Sequence, residues 1–431
     1  MNDRRRRDAV QILNRLYLGQ VSFLDAEYSR WIKKGNYTEK DRNWLVSLLR
    51  NIVKHQLFID GLLKEYLPRW EKLPVAVQSL LRIGVAELLF HSSPSFAIVN
   101  ETVEVAKEVK TEFASLVNAV LRKIAEKRDY YAVIIKEEGM DLPPFLEEEW
   151  RSWIGEEELK LLKKSLSLPP PLYVRVNTLK IGEEELIERW RKRGIESSKT
   201  VLPGALKVDV DYSTLVSLPE YQGGLFYPQD LGSQLIVKAI SPFIRGRVID
   251  VCCGVGGKTF IMAQYPSYQE ILSWDKKESK VNTLCEFMSL FNLNNVKPMV
   301  VDALHPPREF FSTADLVVVD APCSGWGTLR RNPEILLKNP NLKDLSYQQL
   351  SLLHSASSLV KEGGVMVYCV CSITKQETRE VVKEWELDKG KEWEKLDLGT
   401  GEREMIIWPH QFLSDGFFAV AWRKNGKGKT K

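Results

Sequence analysis

Metal clamps and disulfide frameworks are missing from this chain. Its 431 residues hold six cysteines and five histidines, with no Cys-x-x-Cys and no His-x-x-x-His pair. Structural zinc sites need such clustered ligands, and disulfide-stapled folds are far denser in cysteine. No apolar run approaches the ~18 residues that suggest a membrane helix. Met1-Asn2-Asp3 is followed by Arg4 to Arg7 and Asp8, without the apolar core of a secretory signal. The expectation is a cytoplasmic, monomeric protein with reduced thiols, no metal and no membrane partner. A large excess of one charge is also lacking, since 61 basic and 57 acidic residues leave a net +4. By segment the net charge is +6 over residues 1–130, −5 over 131–235 and +3 over 236–431. Such a chain does not coat nucleic acid by bulk charge, so any binding would rest on local patches and shape. Arg4 to Arg7, Arg330-Arg331 and the tail from Arg423 to Lys431 are the candidate patches. Each also reads as a solvated face or a frayed end.

What is present is ordinary globular composition, 44% hydrophobic and 27% charged. The length suits about three domains. Residues 1–130 read as nearly all helix: Ala9, Ile12, Leu13 and Leu16 recur at helical spacing, as do Leu45, Leu48, Leu49 and Ile52. The stretch from Val75 to Phe90 is apolar over most of its circumference, as in the central helix of a bundle, and Pro94 follows its end. Further helices are predicted from about Val99 and from about Glu112 to Lys127. Residues 143–235 are punctuated by Pro143-Pro144 and Pro169-Pro170-Pro171. A helix from Trp153 to Leu166, a strand from Leu172 to Asn177 and a charged helix from Glu183 to Arg193 predict a small α+β RNA-recognition domain. Residues 236–431 alternate strand and helix. Val248–Val251, Ile271–Asp275, Met299–Asp302, Leu316–Asp320 and Gly364–Cys371 are continuous apolar runs, the signature of buried parallel strands. Met405–Pro409 and Phe417–Trp422 predict a hairpin at the sheet edge.

Four of these strands carry an acid at or near the carboxyl end: Asp250, Asp275, Asp302 and Asp320. In an open α/β sheet ligands bind at that edge. A single such acid is a common strand terminator or helix cap, but four at one edge argue for a site. The first strand runs into Cys252-Cys253-Gly254-Val255-Gly256-Gly257-Lys258-Thr259. A Walker phosphate loop requires Gly where Cys252 stands, which counts against a nucleoside-triphosphatase. Gly254 and Gly256 suit either a dinucleotide or S-adenosylmethionine, with Asp275 spaced to take ribose hydroxyls, and the loop alone does not separate the two. The fourth strand does. Asp320-Ala321-Pro322-Cys323-Ser324-Gly325-Trp326-Gly327 puts a cysteine just past the edge, and Cys371 ends the fifth strand. A lone cysteine is usually a small buried hydrophobe. Two at neighbouring strand mouths, beside a nucleotide-type loop, suit methylation of a pyrimidine at carbon 5. A thiolate adds to carbon 6, carbon 5 becomes enamine-like and attacks the methyl, and a base then removes the carbon 5 proton. Asp320 is placed to hydrogen-bond the base as charge develops.

These motifs resemble the RNA cytosine-C5 methyltransferases of the Nop/Sun type, over nearly the whole chain. The segment from Asp320 to Gly325, continuing through Gly327 to Arg330-Arg331-Asn332-Pro333-Glu334, carries the resemblance most specifically. Tyr368 to Ile373, Arg175-Val176-Asn177-Thr178-Leu179-Lys180, Gln229-Asp230 and Asp415-Gly416-Phe417-Phe418 add to it. Residues 1–130, notably Ile98 to Lys107, resemble the helical NusB domain fused to some members. The resemblance implies an all-α NusB-like bundle, an accessory domain and a Rossmann-like catalytic domain over 236–431. The NusB-like bundle would serve as an RNA-binding or accessory domain. The resemblance further implies that Cys371 is the nucleophile, that Cys323 releases product, and that Asp320 contacts the target base. Cys252, Cys253, Gly254, Val255, Gly256, Gly257 and Lys258 would form the cofactor loop, with Lys258 near the methionine carboxylate. Asp275 would meet the ribose and Asp302 the adenine of S-adenosylmethionine, and the substrate would be small-subunit ribosomal RNA. Cys253-Gly254-Val255 replaces the family's Ala-Ala-Pro, which loosens the turn. Val370 replaces a Thr before the nucleophile, and Leu231-Gly232 an acidic-Ala pair. The altered loop motivates a rival reading, a non-catalytic RNA-binding or ribosome-assembly factor with a decayed methyltransferase domain.

Overall fold

The structure, a computed structural model, describes residues 2–20, 24, 30–31, 37–338, 340–399 and 401–426. Residues 427–431 of the basic tail lie outside the described residues. The chain divides into two compact units, residues 1–169 with 329–339 and residues 170–328 with 340–431.

The first unit is helical. Its helices include Glu39–Lys54, Gln56–Tyr66, Val75–Phe90, Ser95–Lys110, Ala114–Glu126 and Arg128–Glu138. Val75–Phe90 is the central one, with Leu80, Leu81, Ile83, Val85 and Leu88 all buried. The helix expected from about Val99 begins earlier, at Ser95, because Pro94 can precede a first turn. The helix expected from Trp153 is the second half of Pro144–Ser167, which is broken at Gly155 by a left-handed φ of 79°; it clusters with this unit. The run from Arg4 to Arg7 is not a free basic patch. Arg6 is buried and makes a bidentate pair with buried Glu87 at 2.7 and 2.8 Å, and Arg5 and Arg7 pair with Asp41 and Glu108. Four consecutive arginines span just over one turn, so one of them must face the core. Arg330 is likewise buried, hydrogen-bonded to Ser165. Glu334, also buried, accepts from the Leu24 amide at 3.2 Å. The stretch after the cysteine-bearing turn is thus packing in the helical unit, and its buried Arg330 is no solvated patch.

The second unit holds two sheets. The smaller has four antiparallel strands, β1 (Leu172–Val176), β2 (Ser197–Lys199), β3 (Ala205–Val208) and β4 (Phe226–Pro228), in the order β2-β3-β1-β4. The helix Glu183–Lys192 covers it through Leu186 and Trp190. The larger sheet contains β5 (Gly246–Asp250), β6 (Tyr268–Asp275), β7 (Val296–Val300), β8 (Ala314–Asp320), β9 (Val360–Val370), β10 (Trp393–Leu396), β11 (Met405–Ile407) and β12 (Phe417–Lys424). Its order is β10-β12-β9-β8-β5-β6-β7, with β11 on β12. β5 to β9 are parallel and β12 runs antiparallel to β9. The third strand lies earlier than its apolar run, Met299–Asp302, predicts: β7 ends at Val300, and Asp302 lies beyond it. The chain order reverses at β5, which lies between β6 and β8. That reversal opens a crevice at the carboxyl ends of the strands, where such sheets take ligands.

Candidate active site

The β5 loop is built on two left-handed glycines, Gly254 (φ 60°) and Gly256 (φ 90°). A Cβ on Gly256 would stand 2.4 Å from Leu284 Cδ1, whereas one on Gly254 would meet open space. The turn is tied to β6: the Cys253 amide donates to the Trp274 carbonyl at 2.9 Å, and the Gly254 amide to Asp275 Oδ2 at 3.1 Å. Asp250 is not at the ligand edge in the sense its position suggested. It is wholly buried and accepts from the Thr259 hydroxyl at 2.8 Å. Burial drives its carboxyl up to about 7, against the lowering effect of Thr259. Its work is to pin the loop from beneath.

At this edge lies a cavity of about 510 Å³ lined by Cys252, Cys253, Gly254, Asp275, Asp302, Asp320, Cys323 and Cys371. Val251, Val301, Ala303, Leu304 and Leu352 supply apolar wall. This size and mixture suit a nucleoside-sized ligand. The donor set fits S-adenosylmethionine: two strand-end carboxylates for hydroxyl and amine donors, an apolar slot for a purine, and main chain left open at Gly254. Asp302 is exposed, and its Oδ1 accepts from the Leu304 amide at 3.0 Å. Val255, Gly256, Gly257 and Lys258, expected in the cofactor loop, shape the turn but do not line the cavity.

The other end of the cavity belongs to the thiols. Cys323 Sγ and Cys371 Sγ are 3.3 Å apart, although 48 residues separate them. All six cysteines are free. The Cys323 thiol is pushed well up by its hydrogen bond to Cys371, then by burial, then by the negative charges of Cys371 and Glu377. Lys258, expected near a cofactor carboxylate, is buried and pairs with Asp320 Oδ2 at 2.6 Å. Burial is the largest influence and opposes its charge, but Asp320, Cys369 and Cys371 together more than offset it and raise the ammonium. Two neighbours went unnoticed in the sequence. Cys369 is fully buried, its Sγ 3.6 Å from Asp320 Oδ1. Glu377 is fully buried and tied to the residues following both cysteines. The one available signal was an acid six residues after Cys371, on a turn before a helix.

Among the described residues no helix is long and apolar enough to cross a membrane, and no group of three or more His, Cys, Asp and Glu could hold a metal ion.

Three family models match the chain: 16S rRNA methyltransferase RsmB/F over residues 237–423, the NusB family over 3–126, and the ferredoxin-like domain of RsmF/B-like methyltransferases over 142–214. The ribosomal RNA small subunit methyltransferase B of Thermus thermophilus is 31% identical over 359 residues, covering 82% of this chain and 80% of that one. The probable ribosomal RNA small subunit methyltransferase B of Bacillus subtilis is 29% identical over 417 residues, 92% of this chain and 93% of that one. Among solved structures, the crystal structure of PH0851 superposes with a TM-score of 0.78 at 26% identity, covering 97% of this chain and 99% of that one. NSun6 from Pyrococcus horikoshii, solved with SFG, shares the fold at a TM-score of 0.55 and 21% identity over 68% of this chain and all of that one. These matches do not favour a decayed, non-catalytic factor. The chain belongs to the ribosomal RNA small subunit methyltransferase B family, the S-adenosylmethionine-dependent RsmB enzymes built from a NusB-like helical domain, a ferredoxin-like domain and a Rossmann-like catalytic domain.

Proposed function

We propose that the protein methylates carbon 5 of a cytosine in small-subunit ribosomal RNA, through a covalent bond between Cys371 and carbon 6 of the base. The observation that carries this reading is the 3.3 Å approach of two free sulfurs in a cavity that also holds Asp320. When bound, S-adenosylmethionine supplies an electrophilic methyl group. Asp275 and Asp302 would hold its ribose and adenine, and the Cys252–Gly254 main chain its amino-acid end. Lys258 is left to Asp320.

Cys371 adds to carbon 6 as a thiolate. A free thiol is only about 3% ionised at pH 7, so the anion needs help. Cys323, held as a thiol, donates toward the Cys371 sulfur and stabilises negative charge there. As carbon 6 takes the sulfur, N3 takes up a proton from water. The Asp320 carboxylate, oriented by Lys258, accepts from that N3–H and from the exocyclic amine. Carbon 5, now enamine-like, takes the methyl group, and the N3 proton returns to water when the thiolate later leaves. The second thiol then changes role. Once Cys371 is bonded to the ring, its sulfur carries no negative charge. The hydrogen bond to Cys371, the largest influence holding Cys323 protonated, and the charge on that sulfur are then lost. Only burial and Glu377 still oppose its ionisation, and it can shed its proton to water. The resulting thiolate takes the carbon 5 proton, the carbon 5–carbon 6 double bond reforms, and Cys371 leaves with the electron pair of the carbon–sulfur bond. The helical and ferredoxin-like domains would serve RNA recognition.

The test is to incubate ribosomal RNA with the enzyme and methyl-labelled cofactor and to digest it for nucleoside mass spectrometry. Label in 5-methylcytidine is expected. Label on a ribose or an exocyclic amine would sink the reading.

A further inference from the structure

We infer that Glu377 is a positioning residue for the two thiols, its carboxylate strapping the turn that carries Cys323 to the turn that carries Cys371. This rests on reading those cysteines as the reacting pair.

Glu377 is fully buried and does not line the cavity. Its side chain gathers donors from both turns. Oε1 accepts from the Ser324 amide at 2.8 Å and from Gln349 Nε2 at 3.1 Å. Oε2 accepts from the hydroxyls of Ser324, Ser372 (2.6 Å) and Thr374 (3.1 Å). Ser324 directly follows Cys323, and Ser372 directly follows Cys371. Gln349 Nε2 also reaches the carbonyl of Pro322, the residue before Cys323, at 2.9 Å. The Glu377 main chain is anchored in turn, its carbonyl accepting from the Tyr368 hydroxyl at 2.6 Å.

An isolated buried carboxylate is costly unless every lone pair finds a donor. Here the donor set is complete and spans two loops from different strands. Glu377 stands just ahead of the helix Arg379–Lys389, yet none of these five side-chain bonds goes to that helix's amides. A helix cap would send them there, so capping does not explain the residue. A neutral amide could tie loops together too, although it would turn a donor toward the hydroxyl groups. The charge adds a second effect, because it is one of the influences holding the Cys323 thiol protonated. The titratable groups around the thiols are the thiols themselves, Glu377, Tyr368 and Cys369 on β9, Asp320 at the end of β8, and Lys258, which pairs with Asp320 from the segment after β5. Only Glu377 is altered in the test below.

The test compares full-length wild type with Glu377→Gln and Ser372→Ala. Three quantities are measured: turnover on ribosomal RNA, calorimetric affinity for S-adenosylmethionine, and the pH profile of iodoacetamide alkylation at Cys323, read by peptide mass spectrometry without RNA. For Glu377→Gln, kcat should fall ten- to a hundredfold, with cofactor affinity within about twofold of wild type. Removing a nearby negative charge should lower the alkylation midpoint of Cys323 by about one pH unit. Ser372→Ala deletes one strap and leaves the charge, so it should lower kcat about threefold without moving that midpoint. An unmoved midpoint in Glu377→Gln, or wild-type turnover in both variants, would overturn the inference. So would loss of cofactor binding in Glu377→Gln together with undiminished turnover in Ser372→Ala. Failure of the wild type to methylate carbon 5 would instead refute the proposed function, since alkylation is read without RNA.

Discussion

Gly327→Ala offers a sharp test of how the site is held. Gly327 follows the Cys323 turn, and its amide donates to the Cys371 carbonyl at 3.0 Å. Its own carbonyl accepts from the Gly416 amide at 2.7 Å. Three segments therefore meet at one glycine: the Cys323 turn, the Cys371 turn and the approach to β12. A Cβ here would lie 2.2 Å from the Gly416 carbonyl oxygen, 2.8 Å from its carbon and 2.9 Å from the Cys371 carbonyl oxygen. All three obstacles are main chain, so no side chain can swing aside. Relieving such a clash typically costs about 1–3 kcal/mol. The two hydrogen bonds stand to be lost as well, at about 1 kcal/mol each. Together these approach about 3–5 kcal/mol, paid by moving the Cys371 turn away from Cys323. A displacement near 1 Å at reacting atoms can lower a rate about a hundredfold. The expected result is a hundredfold loss in single-turnover methylation. Cofactor affinity measured by calorimetry should stay near wild type, because Gly327 does not line the cavity. Near wild-type turnover would refute the claim that this contact sets the distance between the thiols.

Further outcomes follow from the same geometry. Cys371→Ser should be inactive and form no adduct, while Cys323→Ala should accumulate a covalent protein–RNA complex on a denaturing gel; reversed results would exchange the two roles. Arg6→Ala should destabilise the helical unit by about 3–5 kcal/mol, because it strands buried Glu87, and urea unfolding followed by helical circular dichroism would measure this. Asp250→Asn should gain stability over wild type as pH rises. The folded-state pKa of Asp250, about 7, lies above its ordinary 3.8. Its contribution is therefore fully present below about pH 4 and is lost as pH rises through 7. Thermal melts at pH 6 and pH 8.5 should show a gap between variant and wild type that widens at the higher pH.

The catalytic sheet was legible because its parallel strands are buried on both faces and so write themselves as continuous apolar runs. Leu316 to Val319 is the plainest case. The strand-end acids were equally visible, yet they have different fates. Asp275, Asp302 and Asp320 line the cavity, whereas Asp250 turns inward to Thr259. Sequence spacing places a residue at an edge but does not say which way a loop folds over it. The arginines at 4–7 misled for a related reason: a charge run reads as solvated until a partner such as Glu87 is found 81 residues away. Lys258 sat in a cofactor-loop motif but spends its charge on Asp320, 62 residues on. Glu377 left almost no trace, since its partners come from three separate segments.

Local pattern was enough to dictate helices, strands, the glycine turn and the residue types waiting at each strand mouth, because those features depend on backbone preference and on apolar period within a few residues. The encounter of the two sulfurs, the Lys258–Asp320 pair and the Glu377 strap depended on packing β8 against β9 and on folding the loops over that edge. Such contacts join residues dozens of positions apart, and their distances follow from the close packing of the whole domain, which no short stretch of chain encodes.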